Sequence, residues 1–316
     1  MGASGLSGQL TIVDEVTYGT YAAPSRGFEF TGEGPVAYER EVIESMGIRA
    51  GRRIQSRFAQ GVQRVAGDLT MELAPQGFGL WLKHIFGGVN TSGSGPYVHT
   101  FTPGDLTGKS LTVQIGRPDV SGTVRAFSYL GCKVTEAELS AEVNEYAMLT
   151  VSLYGAHEDT GQTLAVASYP ATLTPFVFTQ GVLSVAGSNV DIRNFSLNFD
   201  NALIIDRHFI RSTTPERPKE PLEGGFRQIT GTFEADFESF TAYNRYINAT
   251  QAAMVLTFTS GAHSLVITMN TRFDGSTPGI NSLEEIVAQT MEFKALSSTS
   301  DAAAITAVLT NGDSTP

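Results

Sequence analysis

The stretches VQRVAGDLTMEL (residues 62–73) and FRQITGTFEADF (residues 226–237) decide how this chain folds. Aligned on Gly67 and Gly231, they set Leu69, Met71 and Leu73 against Phe233, Ala235 and Phe237. Apolar residues at every second position place one side of a strand in a core. The other side carries Asp68, Thr70 and Glu72 in the first stretch and Thr232, Glu234 and Asp236 in the second. A short run with helical spacing follows each, at residues 78–87 and 240–249.

The likeness continues on both sides. Upstream, FEF (residues 28–30) resembles FSLNF (195–199), and each precedes a long polar segment, 39–61 and 206–225. Downstream, HTFTPGDLTGKSLTV (99–113) reads as a β-hairpin, echoed by LTFTSGAHSLVI (256–267). CKVTEAELSAEV and AMLTVSLYG then close the first half, as AQTMEFKALS and AAITAVLTN close the second. GQLTIVDEVTYGTY (8–21) and PFVFTQGVLSVAG (175–187) read as opening hairpins. A shared order of elements at this length is the mark of a tandem duplication. The expected copies are about 150 residues each, residues 1–157 and 158–316, joined through 158–167. Short alternating strands between Gly, Pro and Asp turns make each copy a β-sandwich or small β-barrel. One short helix flanks each, and one long contact loop projects from it. The fold class is mainly β.

Of the 316 residues, 41% are apolar and 17% charged, enough to build a core. The net charge of −11 argues against a phosphate-neutralising surface. It falls unevenly, −3 over residues 1–157 and −8 over 158–316. A single cysteine, Cys132, excludes an intramolecular disulfide framework, and its strand context reads as a small buried hydrophobe. The first 20 residues lack a basic region followed by an apolar one, so no secretory signal is read. No window approaches the roughly 18 apolar residues of a membrane span.

Catalytic chemistry finds little footing. The five histidines, at 84, 99, 157, 208 and 263, are scattered one per element, and none forms a zinc-helix pair. His84 is expected at a surface or boundary. No P-loop, nucleophile elbow or dinucleotide fingerprint occurs. NTSGSGPY (residues 90–97) reads as a flexible loop. Glu136, Glu138 and Glu142 alternate along a strand and read as a solvated acidic face. No enzyme activity, cofactor or metal is expected. The densest arginine cluster, IRAGRRIQSRFAQGVQR (48–64), lies close to Glu39, Glu41 and Glu44. RSTTPERPKEPLEGG (211–225) stands at the equivalent place and is also mixed in sign. Such loops suit protein–protein docking better than nucleic-acid binding.

The text GQLTIVDEVTYGTYAAPSRGFEF, then IESMGIRAGRRI, then VAGDLTMEL before a short helix, resembles the tail tube (major tail) proteins of bacteriophages. The resemblance covers the first copy best. It implies a β-sandwich whose inner sheet joins those of its neighbours into a barrel around a lumen, in rings that stack into a tube. It also implies that the long loops bridge subunits and rings. Residues 43–61 and 209–225 would do so here, with Arg49, Arg52, Arg53, Arg57, Arg211, Arg217, Lys219 and Glu220 as contact residues. Such tubes guide double-stranded DNA, and an acidic wall would repel it and let it slide. Candidate wall residues are Asp68, Thr70, Glu72, Glu136, Glu138, Glu234, Asp236 and Glu238. Two copies per chain suggest a trimeric ring with pseudo-sixfold symmetry, favoured over a hexamer. The implied partners are further copies of the chain, the tape measure, the tail terminator and the baseplate or distal tail protein. DNA would pass without specific binding, no membrane is involved, and assembly would occur in the host cytoplasm. Residues 1–8 and the long loops are expected to order on contact. The alternatives are a β-sandwich adhesion or decoration protein, or the tube of a contractile injection system.

Overall fold

A computed structural model describes residues 4–275, 277–280, 286–297 and 303–316. Of the N-terminal segment expected to order on contact, residues 1–3 lie outside the described residues. The first half contains β1 (Gln9–Asp14), β2 (Arg26–Phe28), β3 (Gly32–Glu44), β4 (Phe58–Glu72) and helix α1 (Gly79–Phe86). Then follow β5 (Gly87–Ser92), β6 (Tyr97–Pro103), β7 (Leu111–Pro118), β8 (Val124–Glu142), β9 (Met148–Gly155) and β10 (His157–Asp159). The second half begins with β11 (Gly181–Val185), β12 (Ser188–Val190), β13 (Ile192–Asp200), β14 (Leu203–Ile204) and β15 (Leu222–Glu223). It continues with β16 (Gln228–Asp236), α2 (Phe240–Ile247), β17 (Ala252–Ser260), β18 (His263–Gly275), β19 (Ala288–Ala295) and β20 (Ile305–Asn311).

The fold is mainly β, with antiparallel sheets packed into sandwiches. Among the described residues no sheet closes into a barrel. In the first half β2, β1, β7, the N-terminal part of β8 and β10 form one sheet. The C-terminal part of β8 continues into a second sheet with β9, β4 and β3. Because β8 runs through both, it ties the layers together. Seven ladders of the first half recur in the second. β1–β2, β1–β7, β7–β8 and β8–β9 correspond to β11–β12, β11–β17, β17–β18 and β18–β19. β8–β10, β4–β9 and β3–β4 correspond to β18–β20, β16–β19 and β13–β16. Two ladders cross between the halves, β8 with β13 and β6 with β20. The β5–β6 hairpin is inserted in the first half after α1.

Several strand equivalences differ from those expected. Residues 99–113 are not a hairpin, because β6 pairs with β5 and β20 while β7 pairs with β1 and β8. The hairpin at 256–267 is real, β17 with β18, and by pairing its counterpart is β7–β8. In the same way β8–β9 corresponds to β18–β19 rather than β19–β20. Phe28 ends β2, whose counterpart is β12, while FSLNF lies on β13, the counterpart of β3. Asp14, at the end of β1, is followed by a connection rather than an immediate turn, so β1 pairs with β2 instead of residues 15–21. Residues 90–97 form the turn region of the β5–β6 hairpin. Much of the segment 39–61 is ladder rather than loop, since β3 and β4 pair out to Glu44 and Phe58.

The alignment of Gly67 with Gly231 has a physical basis. A Cβ on Gly67 would lie 2.4 Å from the Val36 Cα, and one on Gly231 2.3 Å from the Ser196 carbonyl oxygen. Both positions sit in a middle strand where a neighbouring backbone comes too close for a side chain. The core side of these strands follows the expected alternation: Leu69, Met71 and Leu73 are buried, as are Phe233 and Ala235.

The two helices differ. In α1 every residue but Lys83 is buried, with Trp81 and Phe78 packed edge-on against Phe28 at 5.7 and 5.6 Å. In α2, capped by the Ser239 hydroxyl accepting from Thr241 N–H, no residue is buried. The expectation for His84 fails: it lies on the buried side of α1, with Nε2 2.6 Å from Asp14 Oδ1. Lys83 donates to the same carboxylate at 2.7 Å. Burial works to raise the pKa of Asp14, but His84 and Lys83 outweigh it and hold it at about 2. Cys132 is fully buried and unpaired, as its strand context suggests.

The halves are strapped together. Residues 311–316 return to the first half, where Asn311 Nδ2 donates to the Pro75 carbonyl at 2.7 Å and Gly77 N–H to Asp313 at 2.7 Å. The Arg26 guanidinium donates to the Pro316 carbonyl oxygen at 2.8 Å. The buried His99 ring lies between Thr91 at 2.8 Å and the Asp313 carbonyl at 2.9 Å.

Candidate functional site

The β8–β13 ladder makes one sheet of the strands β3, β4, β9, β8, β13, β16, β19 and the end of β18. Directly opposed residues in antiparallel strands share a face. One face is core: Leu69, Val151, Ala137 and Phe199 in one row, Met71, Leu149, Leu139 and Leu197 in the next. The other face is polar but for Met148. Its rows read Asp68, Ser152, Glu136, Asp200, Gln228, then Thr70, Thr150, Glu138, Asn198, Thr230, Lys294, Arg272. Glu72, Met148, Ser140, Ser196, Thr232 and Glu292 follow, then Glu142, Asn194, Glu234 and Thr290.

Of the candidate wall residues, seven thus share this face, because Asp236 continues the β16 alternation beyond Glu234. Glu238 lies beyond β16, exposed, in the turn before α2. Asp68, Glu136, Glu138 and Asp236 are exposed, while Thr70, Glu72 and Glu234 are half-buried. Asp200 and Glu292 belong to the same face and were missed. Their signal was the alternation in FSLNFD and TMEFK, with the acid on the solvent side.

The face is acidic with a few internal pairs. From the Asp68 row onward the described residues place nine carboxylates on it: Asp68, Glu72, Glu136, Glu138, Glu142, Asp200, Glu234, Asp236 and Glu292. Three cations oppose them, Arg193, Arg272 and Lys294. Arg193 is held by Asp236 at 2.7 Å and Glu234 at 3.9 Å. The Thr70 and Thr150 hydroxyls share a hydrogen bond at 3.1 Å, and Ser196 donates to Glu138 at 2.8 Å. Among the described residues no group of three or more His, Cys, Asp and Glu could hold a metal ion. No helix among them is long and apolar enough to cross a membrane.

The lateral edges of this sheet are open. Among the described residues β3 pairs only with β4, and residues 272–275 of β18 only with β19. The equivalent edges inside the chain, β13 and the C-terminal part of β8, are the two that pair with each other.

The two long loops are placed differently. The β3–β4 hairpin carries residues 45–57 far from the core, with Arg49, Arg52, Arg53 and Arg57 all exposed. Ile48 and Ile54 are exposed beside them, at 101% and 82%. The loop of the second half instead lies on the first half of the same chain. Glu220 accepts from Lys133 at 2.5 Å and from Gly108 N–H at 2.6 Å, and Lys133 is buried. Arg217 donates to His157 Nε2 at 3.0 Å, so this imidazole nitrogen is unprotonated. Desolvation, then the charge of Arg217, lowers the His157 pKa to about 4. Arg211 donates to the carbonyl oxygens of Thr214 and Arg217, and the Lys219 ammonium stands 5.0 Å from the Phe209 ring centroid.

Open strand edges, an exposed arm and a polar face backed by one core define a structural protein built for assembly. The phage tail tube protein family matches residues 5–295, and the chain belongs to that family. It is a structural component of the phage tail. A search of curated proteins finds no match to this chain.

Proposed function

We propose that the chain polymerises as stacked rings into a tail tube whose lumen is the polar sheet face, and that this lumen conducts double-stranded DNA. The observation that carries the reading is the continuity of that face across both halves, with carboxylates outnumbering cations. DNA bears one charge per ~1.7 Å of helix axis, and a basic wall would bind it by releasing counterions. A carboxylate wall repels it, and rows of Thr, Ser and Asn keep that wall wetted without binding a phosphate tightly.

The chain carries two copies of one tube domain, residues 1–157 and 158–316. Recurrence of seven ladders in the same order supports the duplication. β8 meets β13 inside the chain, and the same type of edge would bring β18 to β3 of the next chain. Three chains then supply six domains to a ring. The exposed arm at 45–57 reaches neighbouring rings, while Arg211, Arg217, Lys219 and Glu220 belong to the loop that packs the second domain on the first. The tape measure, the tail terminator and the distal tail protein are the partners at the tube's core and ends.

Electron micrographs of the purified protein test the reading. Hollow tubes are expected, with three chains per ring in threefold averages and the Glu136 row on the inner wall. A tube with that row on its outside, or protein that stays monomeric even with tail initiator components, overturns it.

A further inference from the structure

The two short helices occupy equivalent places but meet different surroundings. Each contacts the long strand that runs through both sheets, α1 on β8 and α2 on β18. Phe86, the last residue of α1, packs at a tilt against Phe199 of β13 with ring centroids 5.3 Å apart. Its carbonyl oxygen accepts from Arg227 at 2.7 Å, a cation at the negative end of a helix. The C-terminal end of α1 is therefore covered by the domain that follows it in the chain. Among the described residues α2 has no such cover. Ile247, its last residue, is 55% exposed, and Phe240 at its start is 66% exposed. A groove of about 410 Å³ opens beside it, lined by Val190, Phe233, Ala242 and Met291 among others.

The strand register says which residues would cover it. Phe199 opposes Ile229, two residues before Gly231, and Tyr38 opposes Val65, two residues before Gly67. Arg227 and Gln63 each stand four residues before the same glycines. Tyr38 and Gln63 thus hold in the first domain the places that Phe199 and Arg227 hold in the second. They are already joined, Tyr38 Oη donating to Gln63 Oε1 at 2.8 Å, which leaves the Gln63 amide nitrogen as a donor. Tyr38 lies on β3, the open edge of the sheet.

We propose that the Ile247 end of α2 docks on Tyr38 and Gln63 of a second copy of this chain, repeating between chains the contact that Phe86 makes with Phe199 and Arg227 within one. The inference rests on the ring reading above and names its outer contact. Ile247 covers the Tyr38 ring, and the Gln63 amide donates to the last carbonyl oxygens of α2 in place of a guanidinium. The two kinds of junction are unequal. Inside the chain the β5–β6 hairpin adds a ladder to β20, and no equivalent hairpin follows α2. The junction between chains is therefore the weaker one, where a ring comes apart first.

Mixing Tyr38→Cys chains with Ile247→Cys chains and oxidising tests the contact, since Cys132 is buried and a crosslinked dimer can then form only between chains. Covalent dimers are expected in the mixture and absent from either variant alone. Tubes in the micrographs without dimers overturn this contact and leave the ring reading intact. Neither tubes nor dimers overturns both, and dimers from one variant alone overturn the pairing. As a second measurement, Ile247→Arg should raise the concentration needed for ring formation about tenfold or more, the effect of losing one buried apolar side chain per junction. Its thermal melting as a monomer should match the unaltered chain, and unchanged ring formation overturns the proposal.

Discussion

At the residue scale, two pairs hold the halves of the chain together, and one glycine admits a close backbone within the second half. Lys133 is buried and depends on Glu220 for its counter-charge. Glu220→Ala leaves that ammonium unpaired and should cost about 3–5 kcal/mol. Lys133→Met combined with Glu220→Gln should cost much less, because no charge remains buried; urea unfolding of the three proteins measures the difference. His157 accepts from Arg217 as a neutral ring, and its pKa is lowered to about 4. In the unfolded chain it takes its proton near pH ~6.5. Between those values the unfolded state binds more protons, so stability falls as pH drops from about 6.5 towards 4. Melting temperatures over that range should decline less steeply in His157→Gln. Gly231 has no room for a Cβ, with the Ser196 carbonyl oxygen at 2.3 Å and the Phe293 ring at 2.4 Å. Gly231→Ala should destabilise the fold by about 1–3 kcal/mol, as overpacking does, measured by urea unfolding.

At the element scale, the β3–β4 arm stands out because its tip contributes nothing to the core. Residues 45–57 are almost all exposed, and Met46, Ile48 and Ile54 face solvent there. Apolar side chains gathered on a projecting hairpin mark a surface that another molecule covers. Replacing residues 46–56 by a two-residue Asn-Gly turn should leave the monomer's melting temperature unchanged and abolish tubes in micrographs. The second-half loop should behave in the opposite way. Shortening it removes the Glu220 and Arg217 contacts and should destabilise the monomer itself. The arm was legible in the sequence as an arginine-rich segment between alternating strands. That the equivalent loop folds back on its own chain was not, because its partners Lys133 and His157 stand 87 and 60 residues upstream of Glu220 and Arg217.

For the whole molecule, the proposed conduit turns on the sign of the charge on the continuous face. Reversing Glu136, Glu138 and Asp200 to Lys changes the centre of that face, where β8 meets β13, without touching the core side. Tubes of the variant should still form and should retain double-stranded DNA in a filter or sedimentation assay. That retention should fall steeply with salt, since it depends on counterion release. Tubes of the unaltered protein should retain none. Seven of the eight candidate wall residues come from three strands, β4, β8 and β16, yet share one face, because alternation within each strand and the register between strands agree. Alternation was readable from the sequence. Register between β8 and β13 was not.

The sequence by itself determined which side of the alternating strands is wet, and it set Gly67 against Gly231 in two stretches of like pattern. These are local properties, set by period-two patterning; the close backbone at the two glycines came with the structure. Only the tertiary structure decided which strands pair, because strands with the same alternation are interchangeable until the chain closes around its core. Thr100-Phe101-Thr102 and Thr257-Phe258-Thr259 look alike as text. One lies in a strand that pairs with the other half of the chain, and the other leads into a hairpin within its own half. Burial separated α1 from α2 for the same reason. A helix of eight residues has no stability of its own, so what packs against it decides whether it is core or contact surface.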